Sequence, residues 1–292
     1  MRTTALLCLS SLALAACGGG GSTSISGFTP VSPVVATGPG DTLVARAGTP
    51  LPATQYRTTL RSGTFSASPV SANDTASVEV LTATRYRIRS DQGYEADLVL
   101  RDTTGGVSNF TTTSGDAAVA GLVVGTYGAA GVYSFPFNVA DADGGAVTFG
   151  IRSPVTAVPS SGTASYGGTF SGQRNRPGGG DPVALRGNAS LTANFAGAAA
   201  INGQITGVVA DTGLGTTEAF NDILLSASIT GSGGNGTAQT GAAPAGSSVA
   251  FAPGASGALN VQFYGPSLNE LGGAFTINNG GNTVTGGFLT VD

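Results

Sequence analysis

Phe263-Tyr264-Gly265-Pro266-Ser267-Leu268-Asn269-Glu270-Leu271-Gly272-Gly273 is the stretch on which the fold turns. Before it, Leu259, Val261 and Phe263 alternate with polar neighbours; after it, Phe275 and Ile277 continue the pattern. Alternation with period two marks strands with one buried face, so the stretch joins two of them. Proline has no N–H to give to a sheet ladder, and Gly265-Pro266 therefore ends the first strand. Asn269 and Glu270 are expected to accept from backbone donors of a short turn, and Gly272-Gly273 restarts the second strand. A catalytic role for Glu270 would need a second carboxylate or a base. The stretch supplies neither, so the cluster reads as scaffold.

The same texture extends outward to Thr163. Tyr166, Gly168 and Phe170 lie on one face, then Leu191, Ala193 and Phe195, then Ile201, Gly203, Ile205 and Gly207. Ile223, Leu225, Ala227 and Ile229 follow, and Leu289 and Val291 close the series. Short alternating strands of roughly five to eight residues at near-regular spacing over residues 159–292 indicate a closed antiparallel barrel, of about eight strands, or a sandwich. Small residues between large ones suit the tight interior of a small barrel rather than an aqueous lumen.

Composition narrows the chemistry. Glycine makes up 48 of 292 residues, about double its usual roughly 7 %, while charged residues are 10 % and the formal net charge is -4. There is no His, no Trp and no Lys; all twelve basic residues are arginines. The usual neutral-pH base and the commonest metal ligand are absent, as are Schiff-base and P-loop lysines, so no cofactor or metal is expected. An acidic, Lys-free chain also lacks the clustered positive charge that nucleic acid requires.

The two cysteines, Cys8 and Cys17, both sit at the N-terminus. Arg2 provides a positive start, Ala5–Leu14 is apolar but too short to span a bilayer, and Leu14-Ala15-Ala16-Cys17 follows. That quartet resembles a bacterial lipoprotein signal. The resemblance implies a signal peptide over 1–16 and acylation of Cys17, which anchors the protein to membrane lipid; the Gly-, Ser-, Thr- and Pro-rich run that follows makes 17–42 a flexible tether.

Residues 43–158 read as a β-rich domain. Val78, Val80, Thr82, Thr84, Tyr86 and Ile88 share one face; Glu79, Arg85, Arg87 and Arg89 share the other. A three-residue Asp91-Gln92-Gly93 loop would set Arg89 opposite Glu95 and Arg87 opposite Asp97. The stripe of Arg85, Arg87 and Arg89 is thus either a set of cross-strand charge pairs or a patch for an anionic ligand. A second hairpin is predicted over Tyr133–Ala140 and Ala146–Ile151, turning at Asp141–Gly145. Arg174 and Arg176, beside Pro177 and Gly178–Gly180, form a second candidate anion site or a solvated loop.

Phe263-Tyr264-Gly265-Pro266, Glu270, Gly272-Gly273, Phe275, Val284 and Gly286-Gly287-Phe288 resemble the end of the barrel in the transferrin-binding protein B family of surface lipoproteins. Pro159–Gly168 resembles the family's approach to its first barrel strand. The chain departs at Leu268, where the family pattern prefers Ala, and in its Val-Asp terminus. The resemblance implies one handle-like domain followed by one barrel, on an outer-membrane lipoprotein exposed at the cell surface. It further implies non-enzymatic binding of a protein or small ligand by variable loops, such as Gln173–Pro182 and Ser232–Gly246, with the protein acting as a monomer. An adaptor role for an envelope partner is the alternative. A carboxylate-based hydrolase comes third, resting on Asp211-Thr212-Gly213, of which there is a single copy where such chemistry needs two.

Overall fold

A computed structural model of the chain describes residues 31–61, 64–68, 76–90, 95–112, 119–136, 142–176, 182–213 and 216–292. Cys17, the Asp91-Gln92-Gly93 turn and positions 177–181 of the predicted binding loop lie outside the described residues. The first half forms β1 (Pro50–Arg61), β2 (Thr64–Ser68), β3 (Ala76–Thr82), β4 (Arg85–Ser90), β5 (Glu95–Thr104), β6 (Val107–Thr112), β7 (Val119–Val124), β8 (Gly128–Pro136) and β9 (Ala142–Gly150). After one 3-10 turn, Val155–Ala157, come β10 (Thr163–Asn175), β11 (Val183–Asn194), β12 (Ala200–Gly213), β13 (Thr216–Ala219) and β14 (Ile223–Thr230). The chain finishes with β15 (Gly233–Thr240), β16 (Ser256–Tyr264), β17 (Glu270–Asn279) and β18 (Asn282–Val291).

Each half closes on itself. The first sheet runs β2-β1-β3-β4-β5-β6-β7-β8-β9 and closes through β1–β9, with β2 extending the far half of β1. The second runs β11-β10-β18-β17-β16-β15-β14-β12-β13 and closes through β11–β12, with β13 extending β12. Two eight-stranded antiparallel barrels result, and closure leaves few exposed edges in either. The expectation of a C-terminal barrel holds. The first half, expected only to be β-rich and handle-like, is a barrel in its own right.

Several expectations are corrected, mostly for one reason. Glycines that look like turn residues lie inside strands, where neighbouring backbone leaves no room for a Cβ. Gly144 and Gly145 belong to β9, because a Cβ on Gly145 would lie 2.0 Å from the Tyr56 carbonyl oxygen. Likewise Gly233–Thr240 is β15 and not part of a binding loop; a Cβ on Gly236 would lie 1.9 Å from the Ser226 oxygen. Strands are therefore longer than predicted, with β10, β11 and β12 spanning 13, 12 and 14 residues.

The second barrel is filled by Phe170, Leu185, Leu191, Ile201, Ile205, Ile223, Leu225, Leu259, Val261, Phe263, Phe275, Ile277 and Phe288. From Asn188 to Asn194 alternate residues of β11 face outward and are polar, the reverse of a lipid-facing strand. At Gly207 the β11–β12 register slips, and its φ of 60° is the left-handed conformation a bulge requires. The bulge moves the inward positions from Gly207 to Val208 and Ala210, leaving Val209 exposed. Leu289 and Val291 also depart from the expected face: Val291 is exposed and Leu289 packs outside the barrel core with Val107, Val123, Ala130 and Tyr264.

The arginine stripe has the predicted register, Arg87 opposite Asp97 and Arg89 opposite Glu95. Arg87 holds Asp97 at 2.5 and 2.9 Å, and Arg89 reaches Glu95 at 2.6 Å and Glu79 at 3.1 Å. The hydrogen bond from Arg87 holds the Asp97 carboxyl below its ordinary value of 3.8. A double-mutant cycle of Arg87→Ala and Asp97→Ala, followed by urea unfolding, should give a coupling of about 1 kcal/mol. Because the folded-state pKa is depressed, the coupling is present above pH 3.8 and disappears as pH falls through that pKa.

The barrels lie side by side. The chain enters at one end of both, where Leu43 N–H donates to Thr126 O and Ala36 N–H donates to Arg152 O. We call this the proximal end. The connector (151–162), the turns 105–106, 125–127 and 265–269, and the C-terminus are also there. Antiparallel order places the outer ends of β4, β6, β8 and β10, and the segment 241–255, at the opposite, distal end.

Candidate functional site

Two regions concentrate polar chemistry: the seam between the barrels and the distal end. The seam is built from the motif Phe263–Gly273. Phe263 points into its own barrel, and the adjacent Tyr264 points out towards the first barrel. The Tyr264 ring fits among Gly128, Gly150 and Gly272, where added Cβ atoms would come within 2.4, 2.8 and 2.7 Å of it. Its hydroxyl lies 2.9 Å from Thr148 Oγ1, and burial pushes its pKa up to about 12. Connector residues complete the join: Ser153 Oγ donates to Gly265 O at 2.6 Å, and Gly265 N–H donates to Ile151 O at 3.0 Å.

Glu270 is the centre of this seam and is 3 % exposed. Its Oε1 accepts from Thr126 N–H at 2.6 Å and Tyr127 N–H at 3.3 Å. Its Oε2 accepts from Tyr127 N–H at 3.1 Å and Gly128 N–H at 2.8 Å. Three successive amides of the β7–β8 turn thus surround one carboxylate, the geometry of a backbone anion nest. Burial pushes the carboxyl above its ordinary value, against the opposing effect of the three amides. The expected local turn role of Glu270 is corrected: Asn269 performs it, accepting from Ser267 N–H at 3.1 Å, while Glu270 serves the other barrel. No second carboxylate meets Glu270 in the described seam, so the arrangement holds barrels together and has no acid–base pair.

The structure does not gather the sequence-predicted arginines into one site. Arg85, Arg87 and Arg89 lie along the outer face of β4, among Glu79, Glu95 and Asp97. Arg174 and Arg176 sit at the distal end of β10. Arg174 donates to Asn282 Oδ1 at 3.0 Å and stands 5.6 Å from the Phe251 ring centroid. Burial, then the neighbouring Arg176, pulls its pKa down. Arg176 is exposed.

Segment 241–255 closes the distal end of the second barrel. Val249 and Phe251 are buried, and Phe251 packs edge-on to Phe220 at 5.5 Å. Asn221, fully buried, donates to Gly241 O and Phe251 O and accepts from Phe251 N–H. Outside this apolar plug, Glu218 accepts from the backbone and hydroxyl of Ser248, which hold its carboxyl below the usual value. Asp211 is exposed in β12, and Thr212 of its Asp-Thr-Gly triplet bonds within the hairpin to Thr216 O at 3.1 Å. Sequence reasoning missed Glu270's cross-barrel partners, which lie some 140 residues away and carry no side-chain signal, since all three donors are backbone.

Residues 158–290 match the family described as the C-lobe and N-lobe beta barrels of Tf-binding protein B. Among solved structures, a tryptophan-to-alanine mutant of transferrin-binding protein B from Haemophilus parasuis Hp5 superposes with a TM-score of 0.53 at 19 % identity. That match covers 82 % of this chain and 45 % of the relative. Intact Ap-TbpB, with N and C lobes, superposes with a TM-score of 0.50 at 19 % identity, covering 82 % of this chain and 46 % of the other. The chain therefore spans less than half the length of these structural relatives. No curated protein matches it in sequence. The two barrels together share the fold of transferrin-binding protein B, and residues 158–290 match that protein's family of β barrels.

Proposed function

We propose that this protein is a lipid-anchored, non-catalytic binding protein of the outer membrane, which takes its ligand at the distal end of the paired barrels. The observation that carries the reading is the separation of the two ends. The chain from Cys17 reaches the barrels proximally, beside Thr126 and Arg152, while 241–255, Arg174 and Arg176 lie distally. Acylated Cys17 would hold the proximal end toward lipid and present the distal end outward. Transferrin, named for the structural relatives, is the first protein ligand to test.

Two measurements decide. Trypsin applied to intact cells should remove the protein from the surface; full protection would place it in the periplasm and favour the adaptor reading. Immobilised full-length protein should retain transferrin or another host protein and lose it when 241–255 is replaced by a short Gly-Ser linker. Retention unaffected by that replacement, or of the cell's own envelope proteins alone, would overturn distal capture.

A further inference from the structure

Beside the seam, the outer faces of β5–β8 and β10–β12 enclose a cleft of about 640 Å³, within the roughly 300–1,000 Å³ typical of small-molecule sites. Its first-barrel wall carries Val107, Val132 and Val119, the last 52 % exposed, beside polar residues that include Arg101, Asp102, Asn109 and Ser134. Its second-barrel wall carries Ser171 and Gln173 on β10 and Arg186 on β11. Ser171 is directly opposite Arg186 in the β10–β11 register, and Gln173 is the next outward residue of the same strand. Three hydrogen-bonding side chains therefore share one small patch.

None of the three has a side-chain partner among the described residues. Ser171 and Gln173 are 4 % and 8 % exposed, yet neither side chain makes a hydrogen bond among the described residues. Arg186 is half-buried, and no carboxylate in the described residues pairs with it. The cleft's acids are otherwise engaged: Asp102 accepts from Asn109 Nδ2 at 2.6 Å and faces Arg101 at 3.6 Å, and Asp211 has its own interactions. The polar atoms of these three residues are not sealed from solvent, so they stand open to an occupant of the cleft. A guanidinium, an amide and a hydroxyl present up to eight donor hydrogens.

We infer that the cleft binds an organic carboxylate with an apolar body, its carboxylate on Arg186, Gln173 and Ser171 and its body against Val107, Val119 and Val132. Arg186 supplies charge-assisted hydrogen bonds, and its partial burial strengthens them relative to a surface arginine. This site is read separately from distal capture, since its lining uses neither 241–255 nor Arg174 and Arg176.

The probe is 2-naphthoate, with 2-naphthamide as its neutral counterpart, titrated into the full chain carrying Cys17→Ser so that no acyl chain competes. Naphthoate should bind once per chain, and at least tenfold more tightly than naphthamide. Arg186→Gln should weaken naphthoate at least tenfold and leave naphthamide unchanged, whereas Arg176→Gln should change neither. Gln173→Glu, which puts a carboxylate beside Arg186, should abolish naphthoate binding and serves if Arg186→Gln does not fold. Absence of saturable naphthoate binding, equal affinity for the amide, or binding indifferent to both substitutions would overturn the assignment.

Discussion

Replacing Glu270 with alanine is expected to lower the unfolding free energy by about 3 kcal/mol, because the amides of Thr126, Tyr127 and Gly128 lose a charged acceptor at once. Gly128 is buried, so water cannot readily replace the lost bond there. Urea unfolding measures the effect; a loss below about 1 kcal/mol would mean that the amides find other partners at little cost. The pH dependence follows from the direction of the shift. Burial outweighs the three donors, so the folded state holds the Glu270 proton more tightly than the unfolded chain does. The contribution of this titration is full below the ordinary pKa of 4.5 and is lost as pH rises through the higher folded-state value. Glu270→Gln keeps one acceptor oxygen but turns an NH₂ towards the amides, so its loss should be intermediate and free of that pH step.

The second large effect is expected at Gly287. A Cβ there would lie 2.3 Å from the Gly131 nitrogen and 3.0 Å from its oxygen, backbone that cannot rotate aside. Gly287→Val should therefore open the seam rather than deform a strand, at a cost of about 3 kcal/mol or more. Both barrels should keep their far-ultraviolet signature, since neither core includes this position. Trypsin should then cut after Arg152, which in the intact protein bridges to Val35 and Tyr264. Unchanged resistance at Arg152, together with an unchanged radius of gyration in solution scattering, would refute the wedge argument.

What the sequence made legible was local. The Arg87–Asp97 and Arg89–Glu95 pairs could be read because a single loop length fixes the register of neighbouring strands. The inward series of the second barrel could be read because its period is two, until the bulge at Gly207 shifted it by one. Glycine was the ambiguous letter. Gly144-Gly145 and Gly233-Gly234 look like turn residues, but they serve close contact between chains of the sheet. The candidate sites were harder still. Arg186 in Ala184-Leu185-Arg186-Gly187 looks like any outward strand arginine, and its significance depends on Ser171 and Gln173 beside it and on valines from the other barrel. The resemblance carried by Phe263–Phe275 identified the barrel without revealing that Tyr264 and Glu270 reach out of it.

The first and last described segments lie at the same end of the paired barrels. Ala36 bonds to Arg152, Ile151 to Gly265, and Asp292 to Asn269, so the incoming and outgoing chain meet at one pole of the molecule. A polypeptide arranged this way can be copied head to tail with only a short joint between copies, and neither copy needs to refold.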